Sequence, residues 1–233
     1  MFRDVRISNR FRFNMDKDAL ELPLFPLNVV LFPGQTLPLH VFEPRYRLMI
    51  NRCIERGEPF GVVLARDDDP DSPYEIGTAA RITQAERLDD GRLNILTVGV
   101  ERFHLTQIRV SDDDYLIGSA TPLPFKDEDA VPKSLRRRVV MLLRRYLKLL
   151  ARTSGCRLKF PRIPRDASSV AVFAAIVLQI DLEDKQELLS LDSVADILEE
   201  ELAILEDEVF ALTLMTRARP APGFLGGTLF SLN

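Results

Sequence analysis

Tryptophan is absent from this chain, and cysteine and histidine occur only twice each, as Cys53, Cys156, His40 and His104. Two cysteines far apart, outside any Cys-x-x-Cys pair, provide neither a disulfide framework nor a zinc cluster. They fit a reducing compartment, and the expected location is the cytoplasm. The two histidines have no His-Glu-x-x-His spacing and no second ligand nearby, so both read as structural or partly exposed side chains. The phosphate loop Gly-x-x-x-x-Gly-Lys-Ser/Thr, the Gly-x-Gly-x-x-Gly loop and the Gly-x-Ser-x-Gly elbow are also missing. The acidic runs "DDDPD" (67–71) and "DDD" (112–114) lack the EF-hand layout and read as solvated loops. The expectation is a protein that is not an enzyme and that needs neither cofactor nor metal.

Long uninterrupted apolar runs are lacking too. The first residues, "MFRDVRISNRFRFNMDKDAL", have no continuous hydrophobic core of a secretory signal, and no stretch reaches membrane-spanning length without charges or prolines. No membrane partner is therefore expected. The net charge of -4 argues against nucleic acid as the main ligand, because phosphate neutralisation supplies most of that affinity. The hydrophobic fraction of 46% over 233 residues is ample for a folded core.

The most unusual stretch that is present runs from Leu22 to Ile50, "LPLFPLNVVLFPGQTLPLHVFEPRYRLMI". It is heavily apolar, has no lysine, and is broken by Pro23, Pro26, Pro33, Pro38 and Pro44. Proline cannot donate to a ladder, so these residues predict strand ends, edges and turns. "LELPLFPL", "NVVLFPG" and "QTLPLHVF" read as short extended pieces. From Phe42 the apolar spacing becomes helical through Tyr46, Met49, Ile50, Cys53 and Ile54. Pro44 suits the first turn of that helix and Gly57 its end, and Cys53 becomes a buried free thiol.

Further strands are predicted at 59–65, on both sides of the Asp90-Gly91 turn, and at 115–124, with Gly99 marking a bulge or sharp bend. Six or seven short strands with one helix suit a small, partly open barrel. After a linker at 125–132 the pattern is helical. Leu135, Val139, Leu142, Leu143, Tyr146 and Leu150 share one face of a helix over 133–152, and 166–180 is apolar nearly all round. A short helix follows, and then a long one capped by Asp192 or Ser193, with Val194, Ile197, Leu198, Leu202 and Leu205 inward. The expected domains are a disordered tail at 1–19, a barrel subdomain at 20–124, the linker, a helical subdomain at 133–217 and a flexible tail at 218–233.

Charge is segregated. From Lys133 to Arg152 there are eight basic and no acidic residues, and from Asp192 to Thr216 eight acidic and no basic ones. Two neighbouring helices with complementary fields account for this. A nucleic-acid patch at Arg136, Arg137, Arg138, Arg144, Arg145 and Lys148 is the alternative reading.

The quoted stretch closely resembles the start of the N-terminal substrate-binding domain of Lon proteases. The shared pattern is an LPLFPL strand (Leu22–Leu27), a VLFPG turn (Val30–Gly34) and an LPLHIFEPRY segment (Leu37–Tyr46) followed by a helix. "FGVVLA", "IGTAARI", "RLNILTVGVERFHL" and "IDLEDKQELLSLDSV" (180–194) are similar to later segments, so the likeness covers residues 20 to 215. The resemblance implies an α+β fold: a PUA-like, partly open β-barrel with one embedded helix, followed by a C-terminal helical bundle. It also implies recognition of unfolded or damaged polypeptide segments. The chain ends at 233 without an ATPase or a Ser-Lys peptidase, which suggests a stand-alone domain. Two further expectations follow: a role as an adaptor in protein quality control, and an ATP-dependent protease as candidate partner. The apolar contact residues expected on this reading are Phe25, Leu27, Phe32, Pro38, Phe42 and Tyr46. The oligomeric state is left open.

Overall fold

The computed structural model describes residues 20–66, 69, 72–154 and 162–218. The expected tail at 1–19, the expected tail at 218–233 apart from Ala218, Cys156 and most of the acidic run 67–71 lie outside the described residues. The fold is mixed α+β, with six strands and five helices among the described residues. The strands are β1 (Leu20–Leu27), β2 (Thr36–Val41), β3 (Phe60–Leu64), β4 (Ile76–Arg87), β5 (Leu93–Val110) and β6 (Leu116–Pro122). The helices are α1 (Pro44–Arg56), α2 (Lys133–Ser154), α3 (Ala167–Val177), α4 (Leu182–Ser190) and α5 (Val194–Ala218). Among the described residues, no helix is long and apolar enough to cross a membrane.

The sheet order is β2-β5-β4-β3-β1-β6, and β6 also pairs with β5, so the pairing closes into a ring. β5 closes it because it is 18 residues long, not one of several short strands as its sequence suggests. Its first half lies between β4 and β2, and its second half pairs with β6, the β4 pairing ending at His104. Bulges let it bend between these duties, one of them opposite Ala79 and Ala80 beside Gly99. β2 stays outside the ring, paired to β5 alone.

"NVVLFPG" is not a strand, contrary to its apolar pattern. Its backbone is consumed by a turn and by side chains. Gln35 N–H donates to the Phe32 carbonyl at 3.1 Å across Pro33-Gly34, as in a type II turn. Thr78 Oγ1 donates to the Leu31 carbonyl at 2.5 Å. Gly34 N–H donates to Gly99 O at 2.8 Å, and Gly99 N–H to Gln35 O at 2.9 Å. A Cβ on Gly99 would lie 2.3 Å from the Phe32 carbonyl oxygen, so the loop can approach β5 only over a glycine.

α1 follows its sequence signals closely. Pro44 opens it, Gly57 closes it at φ 67°, and the Glu58 N–H reaches back to Cys53 O at 3.0 Å in a Schellman pattern. Tyr46, Met49, Ile50 and Cys53 face one core cluster with Phe25, Phe60, Ile82 and Ile95. A second cluster, with Leu22, Leu24, Phe103, Leu105 and Leu116, fills the other side of the sheet. The expected hairpin is also present: Leu88 N–H and Arg92 O pair at 2.9 Å around Asp90-Gly91.

The chain divides into two compact units whose limits differ from those read in the sequence. The sheet unit takes the residues up to Lys126 together with Ala175–Ser193, and the helical unit takes Asp127–Ala174 and Val194 onward. α4 thus belongs with the sheet, not with the helices. Gln186 Nε2 donates to Ile76 O on β4 at 2.9 Å. The 1% exposed Arg102 of β5 donates to the carbonyls of Leu189 and Leu191, both at 2.6 Å, and sits 3.9 Å from the Phe125 ring centroid. The expected linker is likewise held: Lys126 N–H donates to Asp192 O at 2.9 Å, and its ammonium pairs with the Asp192 carboxylate at 2.7 Å.

In the helical unit, α2 packs along α5, as the opposite charges suggest. The buried face of α2 is Leu135, Val139, Leu143, Tyr146, Leu147 and Leu149; Leu142 and Leu150 are half-buried instead. On α5 the buried apolar residues are Val194, Ile197, Leu198, Leu202 and Leu205, as expected, joined by Val209 and Leu212, and Glu201 is buried with them.

Two outcomes test this packing. Arg102→Met keeps the volume but leaves the carbonyls of Leu189, Leu191 and Pro124 without their donor. Urea unfolding should show a loss of about 1–3 kcal/mol, and hydrogen exchange should speed up first in 182–193. Burial pushes the Cys53 thiol up to about 12. In a Cys156→Ser background, native protein should therefore resist thiol reagents at pH 8 and react only on unfolding.

Candidate functional site

Four of the six apolar residues expected to contact polypeptide border one groove of about 680 Å³ in the sheet unit: Phe25, Leu27, Phe42 and Tyr46. The end of β1 supplies Phe25 to Leu27, the end of β2 supplies Leu39 to Val41, and the entry of α1 supplies Phe42 to Tyr46. Ala65 and Arg66 close it; the Ala65 N–H donates to Leu27 O at 3.0 Å and so holds this wall.

The floor is aromatic. Phe25 stacks on Tyr46 with centroids 4.3 Å apart and an interplanar angle of 22°, and tilts against Phe60 at 6.1 Å. Both Phe25 and Tyr46 are buried, so they offer a surface more than a side chain. Phe42 is different. It is 60% exposed, and its ring lies 6.2 Å from that of His40. It stands at the rim because the chain leaves β2 at Val41 and enters α1 at Pro44, and nothing in between turns it inward.

The rim is polar and mostly basic. Arg45 lies 4.6 Å over the Tyr46 ring and donates to Glu43 at 3.1 Å, while Arg66 lies 4.4 Å over Tyr74. His40 Nδ1 meets Asn94 Oδ1 at 2.7 Å, and Asn94 Nδ2 donates to Glu86 at 3.2 Å. This ties the His40 ring to the first half of β5.

The remaining two expected residues fall elsewhere. Pro38 is exposed on β2 and borders a neighbouring groove of about 410 Å³ that shares Leu39 and His40 with the first. Phe32, 3% exposed, lies in the core under the Pro33-Gly34 turn, so its place as a contact residue is corrected: the turn that interrupts the strand folds the ring inward. Leu39, His40, Arg45 and Arg66 border the groove without having been singled out. The first three share the "LHVFEPRY" run with Phe42, where polar residues alternate with apolar ones. For Arg66 the sequence carries no signal.

Of the basic residues on α2, Arg136, Arg137, Arg144, Arg145 and Lys148 border a single groove of about 820 Å³ in the helical unit, with Val140, Met141, Pro164 and Arg165. Arg138 is not among them; it pairs with Glu206 of α5 at 2.8 Å. Among the described residues, no group of three or more His, Cys, Asp or Glu side chains is placed to hold a metal ion. In the 112–114 run, Asp113 is engaged by Arg52, which also donates to the Tyr115 hydroxyl at 3.1 Å.

Comparison with known proteins adds the family. The ATP-dependent protease La (LON) substrate-binding domain matches residues 21–207. The chain is 31% identical over 209 residues to the Lon protease of Rhizobium meliloti (strain 1021) and 32% identical over 210 residues to that of Brucella suis biovar 1 (strain 1330). Each alignment takes in 87% of this chain but only 26% of the relative, so the chain spans about a quarter of the Lon proteases it matches. Among solved structures, the Lon N-terminal domain protein from Xanthomonas campestris superposes with a TM-score of 0.64 at 29% identity, covering 79% of this chain and 98% of that one. The N-terminal domain of the Mycobacterium avium complex Lon protease does so with a TM-score of 0.60 at 17% identity, covering 81% and 99%, and shares the fold. Within these 233 residues nothing outside the match is long enough for an ATPase or peptidase domain. The chain belongs to the Lon substrate-binding domain family.

Proposed function

We propose that this protein binds unfolded or hydrophobic polypeptide segments in the groove between the ends of β1 and β2 and the start of α1, without catalysing a reaction on them. The observation that carries this reading is Phe42: a large aromatic side chain, 60% exposed, at the rim of a groove floored by Phe25 and Tyr46. An aromatic anchor beside an apolar floor, ringed by arginine and histidine, is the composition of binding hot spots. The Lon substrate-binding family membership points the same way. Flexible hydrophobic segments would place apolar side chains against the floor, while Arg45, Arg66 and His40 meet backbone carbonyls at the rim. On this reading the protein acts as an adaptor in cytoplasmic protein quality control and presents such segments to an ATP-dependent protease.

Fluorescence anisotropy with a labelled, permanently unfolded model protein tests this. Phe42→Ser should weaken binding about tenfold or more, equivalent to about 1.4 kcal/mol or more, and leave the melting temperature nearly unchanged. Phe32→Ala should do the opposite, losing about 3–5 kcal/mol of stability while the residual folded protein binds normally. Absence of binding by the unmodified protein, or unchanged binding by Phe42→Ser, would sink the proposal.

A further inference from the structure

The helical unit carries a second surface that the groove beside Phe42 does not explain. Arg136, Arg137, Arg144, Arg145, Lys148 and Arg165 converge on the 820 Å³ groove along α2, and among the described residues no carboxylate borders it. A smaller groove of about 460 Å³ continues it past Arg144 and Lys148 toward Arg162. Again no acidic residue borders it among the described residues. Among the described residues none of these cations forms an ion pair, whereas Arg138, on the side of α2 that meets α5, does. The α2/α5 charge complement therefore accounts for one arginine; the Asp166 carboxylate feels Arg136, and Arg137, Arg144, Arg145 and Lys148 form no ion pair among the described residues. The segment 162–165 is held against the helix by Arg136, which donates to the Arg165 carbonyl.

The floor is apolar in two places. Val140 and Met141, the latter 62% exposed, form one seat, and Leu147 and Ile163 form the other. Along a helix axis they lie about 9 Å apart. That spacing fits two apolar side chains about seven residues apart on a docked helix.

We propose that this groove binds an acidic amphipathic polypeptide segment, with carboxylates against the arginines and two apolar side chains in the two seats. Three observations choose this occupant. The chain's own ends are the wrong sign: residues 1–19 hold more basic than acidic residues, and 219–233 hold no Asp or Glu. Residues 155–161, which precede the groove wall, add Arg157 and Lys159 and no acid. Single-stranded nucleic acid is held by aromatic stacking as well as charge, and among the described residues no aromatic side chain borders either groove. A polypeptide supplies what the floor asks for, apolar side chains interleaved with negative charge.

The probe is a fluorescein-labelled, Glu-rich helical peptide with leucines about seven residues apart, titrated with the full chain. It should bind, and the affinity should fall at least about tenfold for Arg144→Glu/Arg145→Glu and again on raising the salt from about 50 to about 300 mM. Met141→Ser, which changes no charge, should weaken it at constant salt, since the apolar seat is lost. These positions are exposed, and circular dichroism checks that the fold is retained; Arg144→Gln/Arg145→Gln should give a smaller loss. Phe42→Ser should leave this binding intact, which separates it from the first groove. Equal binding by the Arg144→Glu/Arg145→Glu variant would overturn the proposal. So would tighter, groove-dependent binding of a single-stranded RNA of equal charge. A concentration-dependent doubling of mass abolished by the same variant would overturn it in favour of contact between copies.

Discussion

One buried cation organises the sheet unit. Arg102 stands on the longest strand and brings together three separated pieces of chain: β5 itself, the segment after β6 at Pro124 and Phe125, and the end of α4 at Leu189 and Leu191. Removing a guanidinium from water costs several kcal/mol unless its donors are met. Here three carbonyl oxygens take the Nη donors and an aromatic face covers the guanidinium, while Nε is buried without a hydrogen-bond partner among the described residues; the nearby Asp192 carboxylate favours the charged form. Burial pushes its pKa down to about 10, still far above neutrality, so the side chain remains a cation and a full donor. Lys126 adds its own pair to Asp192 beside this cluster. Any register of 124–126 or 189–192 that missed Arg102 would bury an unmatched charge, which makes the arrangement specific as well as stable.

That constraint also shows what the sequence could and could not convey. Local signals were readable. Pro44 and Gly57 bound α1, Asp90-Gly91 marks the hairpin, and the spacing from Val194 to Leu205 predicts the buried face of α5. Periodicity reports that 182–190 is a helix; it cannot report that its partner is β4 and Arg102 rather than the other helices. Periodicity failed for "NVVLFPG" for a related reason. Its apolar residues are core residues, but their backbone is satisfied by Thr78, Gln35 and Gly99, partners that only the fold brings near.

The candidate site divides along the same line. Phe32 and Phe42 are both phenylalanines in one proline-broken apolar run, Phe32 next to Pro33 and Phe42 two residues before Pro44, and apolar pattern alone does not separate them. A turn sends Phe32 into the core, while a strand-to-helix junction leaves Phe42 outside. The basic face of α2 was readable as a pattern, yet only packing shows that it has two sides. One side gives Arg138 to α5, and the other gathers five cations over apolar seats. A charge count along the helix treats both sides alike.

The five prolines of 22–50 constrain how the first groove can work. β2 is an edge strand, paired on one side only, and such edges invite addition of a further strand from another chain. Pro38 lies in the middle of β2 and removes one N–H from it, a substitution that strands tolerate at an edge with the gap facing outward. A continuous ladder with an incoming segment is thereby broken at its centre. What remains on that flank of the sheet is side chain: Leu39 and His40 on β2, Phe42 at the junction, and Phe25 and Tyr46 beneath. Recognition through side chains needs no fixed register and no particular sequence direction, whereas strand addition needs both. Pro38 thus has two consequences. It interrupts an exposed sheet edge, and on the proposed reading it leaves recognition to the side chains of the groove.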